Sequence, residues 1–181
     1  PIPGADAAEQ IATASGPHAV VVRQARVDRE EIARLVNELP KTERDRLPEV
    51  VTSARRLYDT IVSIANALLG LDREVGTTSA EAIDKEIAVL ESQANPLDTA
   101  ASESRVRRLA ILKRSRRGVA EAQRKRGEYA AKLDECAIAL KNMKLDVLRL
   151  KAGTESWQRV TSVAEQAMQL ARDVDSAVYV G

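Results

Sequence analysis

The stretch VVTSARRLYDTIVSIANALLGLDREV, residues 50–75, decides the fold. Its apolar residues Val50, Ala54, Leu57, Ile61, Ile64, Leu68, Leu71 and Val75 follow one another at alternating steps of four and three. That is the a/d spacing that keeps one face of a helix against a neighbouring helix. The spacing returns in Tyr129, Leu133, Cys136, Leu140, Met143, Val147 and Leu150. It returns again in Trp157, Val160, Ala164, Ala167, Ala171, Val174 and Val178. The reading is an all-α chain, an elongated antiparallel helical bundle or coiled-coil hairpin of four to five helices.

Composition supports thin helical packing. Charged residues make up 30% of the 181 residues and hydrophobic ones 44%, a balance that suits long helices with one apolar face. Phe is absent, and the aromatic side chains are Trp157, Tyr58, Tyr129 and Tyr179, too few for a wide core. The single cysteine, Cys136, excludes an internal disulfide, and its seam position marks it as a small buried hydrophobe. The uncharged stretches are too short to span a bilayer, and no basic segment with an apolar core opens the chain as a signal peptide would. The chain starts at Pro1 without Met and ends after Tyr179-Val180-Gly181, which reads as a fragment of a longer protein.

Punctuation residues divide the chain. Residues 1–27 read as a partly flexible lead-in, and residues 28–181 as one helical bundle with helices at about 28–39, 48–75, 79–94, 102–152 and 155–179. Asp28 with Glu31 resembles a capping box, and Pro40 stops the first helix. Val20 to Val27 could extend it backward or form a short strand. Gly76 reads as the stop of the second helix, and Thr78 with Glu81 as the capping box of the third. Asn95-Pro96 breaks the third helix, and Gly153-Thr154 the fourth. Gly118 and Gly127 within the fourth mark a bend or a close helix approach. The short connections predict antiparallel neighbours.

Net charge is +1, yet the charges are segregated. Residues 105–126 hold Arg105, Arg107, Arg108, Lys113, Arg114, Arg116, Arg117, Arg124, Lys125 and Arg126 against one acid, Glu121. Residues 72–103 hold eight acids (Asp72, Glu74, Glu81, Asp84, Glu86, Glu91, Asp98, Glu103) against Arg73 and Lys85. The first reading is that the acidic third helix folds back and pairs with the basic fourth, fixing register more than adding stability. The second makes Arg105, Arg108, Arg114, Arg116, Arg117, Arg124 and Lys125 the contact to a partner or to an anionic membrane surface, with interleaved apolar residues supporting the membrane case. Nucleic acid ranks third, because the segment lacks aromatic stacking residues.

The chemical inventory points away from catalysis. There is no glycine-rich phosphate loop. His18 is the only histidine, so neither a triad nor an imidazole-rich metal site can be assembled, and the Glu-x-x-His pairs of di-metal bundles are missing. Trp157 reads as a packing anchor. No catalytic residue, cofactor, metal or small-molecule substrate is assigned.

Two segments carry a family resemblance: Leu109-Ala-Ile-Leu-Lys-Arg-Ser-Arg-Arg through Lys132-Leu-Asp-Glu-Cys-Ala-Ile-Ala-Leu-Lys-Asn-Met-Lys-Leu-Asp-Val-Leu-Arg-Leu-Lys151, and Leu47-Pro-Glu-Val-Val with Leu69-Gly-Leu-Asp-Arg. Over roughly residues 40–180 the chain resembles the helical region C-terminal to the catalytic domain in some bacterial, membrane-associated serine/threonine protein kinases. No V-A-I-K, H-R-D or D-F-G element is present, so no kinase active-site residue carries over. The resemblance implies a noncatalytic regulatory or oligomerising module, cytoplasmic and tethered to the membrane through other segments. Its partner is then another copy of itself or an attached signalling domain.

Overall fold

The computed structural model describes residues 16–77, 79–93, 97 and 99–179. The chain is an all-α helical bundle, and among the described residues there is no strand. The helices are α1 (Ala19–Glu38), α2 (Lys41–Arg44), α3 (Val50–Thr77), α4 (Ala80–Ser92), α5 (Thr99–Lys151) and α6 (Trp157–Tyr179). The described residues fall into two compact units, one of 16–69 with 129–179 and the other within 70–128, so the single bundle expected over residues 28–181 is divided. Helices α3 and α5 each contribute a segment to both units.

The first unit is built around α3. All six of its seam residues from Val50 to Leu68 are buried, as expected from their spacing. The flanking Ser53, Tyr58, Thr60 and Ala65 are buried as well. A two-stranded coiled coil leaves such flanks half open; burial on both sides of the seam belongs to a helix enclosed by several others. The enclosing core residues come from α1, from the 129–151 part of α5 and from α6, and include Ile32, Leu35, Leu140, Met143, Val147 and Val160. Trp157 packs partly buried against this core with the Arg46 guanidinium 5.4 Å from its ring centre.

Helix α1 starts at Ala19, nine residues before the expected start, so residues 19–27 are not a lead-in. Val22 and Ala25 are buried and extend the apolar face of Ile32, Leu35 and Val36 backward. Asp28 therefore lies inside the helix on its buried face and caps nothing. Gln24 Nε2 donates to its Oδ1 at 3.1 Å, and Lys144 Nζ lies 2.5 Å from the same oxygen. Gly16 precedes the helix at φ +89°, a conformation that favours glycine. Residues 1–15 of the expected lead-in lie outside the described residues.

The remaining boundaries follow local chemistry. Leu39 is extended before Pro40, which ends α1 as expected. Helix α3 continues through Gly76 to Thr77, so Gly76 does not stop it. Ser79 caps α4, its hydroxyl accepting from the Ala82 N–H at 3.2 Å; the expected cap, Thr78, lies outside the described residues, as do Ala94, Asn95 and Pro96. Helix α5 ends in a Schellman turn: Gly153, at φ +77°, donates to the Leu150 carbonyl at 3.0 Å, and Thr154 N donates to the Arg149 carbonyl at 2.9 Å. Gly118 and Gly127 lie within α5 with nothing within 4 Å of where a Cβ would stand, so neither marks a close helix approach.

The second unit comprises the end of α3, α4 and residues 99–128 of α5. Its buried apolar side chains, among the described residues, are Ile83, Val119 and Ala122. Leu71, Val75, Ile87 and Leu90 continue their seams only half-buried.

Candidate functional site

The segregated charges of the second unit meet one another. Arg116 Nε donates to Asp84 Oδ1 at 2.8 Å and Lys113 Nζ lies 3.0 Å from Glu91 Oε1. Arg108 bonds Glu86, and Arg126 bonds Asp72. Three ion pairs thus link the basic part of α5 to α4, as the first charge reading expects, and the fourth ties it to Asp72 of α3. Three more run along α5 itself: Arg107 with Glu103, Arg124 with Glu128 and Lys125 with Glu121. Most of these groups are well exposed, so each pair adds well under about 1 kcal/mol and the set fixes register.

This occupancy reduces the expected anionic-surface site. Of its seven residues, Arg108, Arg116, Arg124 and Lys125 are held in ion pairs. Arg105 is half-buried, and Arg114 and Arg117 are exposed with no acidic partner among the described residues, Arg117 lining a shallow pocket with Ile87, Lys113 and Arg116. The exposed apolar residues Val106 and Ile111 stand in the same segment.

Cys136 is fully buried, and burial pushes its thiol up to about 12, far from a reactive thiolate. His18 occupies the N-cap position of α1 with no side-chain capping bond. Among the described residues, no group of three or more His, Cys, Asp or Glu is arranged to hold a metal ion. No helix among them is long and apolar enough to cross a membrane.

A surface that the charge pattern did not announce lies on the first unit. A groove of about 620 Å³ runs between α5 and α6, lined by Ile138, Asn142, Leu145 and Arg149 on one side and by Arg159, Val163, Gln166 and Leu170 on the other. Ile138 is 59% exposed and Leu145 37%. A second groove of about 300 Å³, on α1 and α5, is lined by Val20, Gln24, Ile138 and Lys141, with Val20 64% exposed. The signal was present in the sequence: Ile138 with Leu145, and Val163 with Leu170, are seven-residue pairs outside the three buried seams.

Comparison with protein-family models, with curated proteins and with solved structures finds no match to this chain.

Proposed function

We propose that the chain is a noncatalytic interaction module whose first unit presents a preformed helical face to a partner, either a second copy or an attached signalling domain. The observation that carries this reading is the exposed pair Ile138 and Leu145 on α5, with half-buried Val163 and Leu170 of α6 across the groove from them. Large side chains such as Ile138, more than half exposed beside a groove, mark protein-docking surfaces when they cluster. Attachment to a bacterial serine/threonine kinase, in the cytoplasm at a membrane, is part of the same proposal and rests on the resemblance of residues 40–180 alone. Light scattering on the eluting protein tests it: the mass should rise toward that of a dimer at high micromolar concentration. A constant monomer mass, together with no binding to a neighbouring domain of the full-length protein, would remove the proposal.

A second reading is a peripheral membrane-binding coiled coil. It is favoured by one observation, exposed Arg114 and Arg117 without an acidic partner among the described residues, in the same helix segment as exposed Val106 and Ile111. Co-sedimentation with anionic vesicles at about 0.15 M salt decides it. Binding that is lost in Arg114→Glu/Arg117→Glu would place the lipid reading first.

A further inference from the structure

Resting on the interaction-module reading, we infer that the α5–α6 face of the first unit pairs with the same face of a second copy, antiparallel about a two-fold axis. Two lines of residues make up this face. On α5 they are Glu135, Ile138, Asn142, Leu145 and Arg149, at steps of three, four, three and four. On α6 they are Arg159, Val163, Gln166, Leu170 and Asp173, at steps of four, three, four and three. Both are a/d lines displaced from the buried seams, and every member is exposed or half-buried.

The order of residue types along each line is self-complementary. Each has an amide at its centre, one apolar residue on either side of it, and opposite charges at its ends. The Schellman turn at Gly153 reverses the chain, so Arg149 and Arg159 stand at the turn end of the face and Glu135 and Asp173 at the other. A two-fold axis perpendicular to the helices, passing near Asn142 and Gln166, then lays the basic end of one copy on the acidic end of the next. Arg149, which donates to Asp146 Oδ1 of its own chain at 3.1 Å and stays well exposed, meets Glu135 of the second copy, Arg159 meets Asp173, Ile138 meets Leu145 and Val163 meets Leu170. This is the isologous pattern of a closed dimer, in which each contact occurs twice. A parallel arrangement would instead set arginine on arginine and acid on acid, so the charges select the antiparallel one. Central amides serve the same end, since a buried polar pair fixes register.

The face sets the strength. From Glu135 to Arg149 is about 21 Å of helix, and neighbouring helices lie 8–10 Å apart, so the patch is roughly 20 Å square. That is smaller than a standard interface, and the expected dimer is weak, dissociating in the micromolar range.

Sedimentation equilibrium of the whole chain tests this. The parent chain should show a reversible monomer–dimer equilibrium. Ile138→Gln/Leu145→Gln, at exposed positions, should weaken it by about tenfold or more with the helical circular dichroism unchanged. Arg159→Asp alone leaves α6 with two acidic ends, and Asp173→Arg alone leaves it with two basic ends. Each should be monomeric by itself, their equimolar mixture should dimerise, and Arg159→Asp/Asp173→Arg should dimerise as the parent does. A dimer indifferent to these substitutions would overturn this face while leaving the oligomerisation reading in place. A parent chain that stays monomeric at high micromolar concentration would overturn both the face and self-association, leaving only the attached domain as partner.

Discussion

The two units use one kind of helix seam and hold it together differently. In the first, twenty-seven described side chains form one buried cluster, and Val22, Leu57, Ile61, Leu68 and Leu140 have no accessible surface. In the second, three apolar side chains are buried and four ion pairs cross between helices among the described residues. Apolar burial contributes about 1.5–3 kcal/mol for each large side chain enclosed, whereas an exposed ion pair contributes a fraction of 1 kcal/mol. The first unit is therefore the stability of this protein, and the second is a register device that opens more readily. The difference lies in what each seam packs against, since α3 keeps its four-three spacing through both.

The largest test of that contrast is the same substitution in each unit. Ile61→Asp places a charge where the side chain is fully enclosed and should cost several kcal/mol, enough to remove the cooperative thermal transition of the first unit. Ile83→Asp, at a position 8% exposed near the surface of the second, should cost about 1–2 kcal/mol and leave that transition nearly in place. Equal losses in a calorimetric melt would mean that the two units share one core.

How far the sequence could be read follows from the same contrast. The buried seams from Val50 to Leu68 and from Leu133 to Leu150 were legible because helical period and apolar content agree there, and the α6 seam was legible too. Asp28 was misread because local sequence showed an acid three residues before a glutamate. What makes it tolerable inside the core is Lys144, 116 residues away. Ser79 and Thr78 are both capping residues, and nothing local chooses between them. That acidic and basic segments would pair was legible from their segregation. Their register was not, because long side chains reach across several residues. The α5–α6 face went unread because a half-exposed seam looks like ordinary helix surface until the buried seam beside it is located.

An ion pair in each unit gives the second test. Asp28 is 2% exposed, and Lys144 is its cationic partner; Lys144→Ala leaves a buried carboxylate with only Gln24 bonded to it. The expected cost is about 3 kcal/mol by urea denaturation, because an uncompensated buried charge is the expensive case. Arg116→Ala removes a partner of Asp84, which stands in water, and should cost less than about 1 kcal/mol, an effect that 1 M salt erases as the screening length falls to about 3 Å. Salt should leave most of the Lys144 effect. If the two substitutions cost the same, the assignment of stability to buried chemistry in one unit and screened chemistry in the other is wrong.

The smallest expected effect comes from the thiol in the first core. Burial raises the Cys136 pKa to about 12, while an unfolded thiol ionises at about 8.5. A group whose pKa is raised on folding contributes stability that is complete below the unfolded value and is lost as pH rises toward the folded one. At neutral pH the thiol is protonated in both states and contributes no pH dependence. At pH 9 the unfolded chain gains by ionising, and the first unit should lose somewhat less than about 1 kcal/mol, a loss absent in Cys136→Ala. Iodoacetamide makes the comparison between units. Cys136 reacts only when the thick core opens, whereas a cysteine introduced as Val119→Cys in the Cys136→Ala background sits in the thin unit, 8% exposed in the parent residue. Alkylation at position 119 should run many times faster at the same pH, because each reaction waits on the opening of its own unit. Equal rates would mean that one opening exposes both, and the division of the molecule into a stable unit and a yielding one would fail.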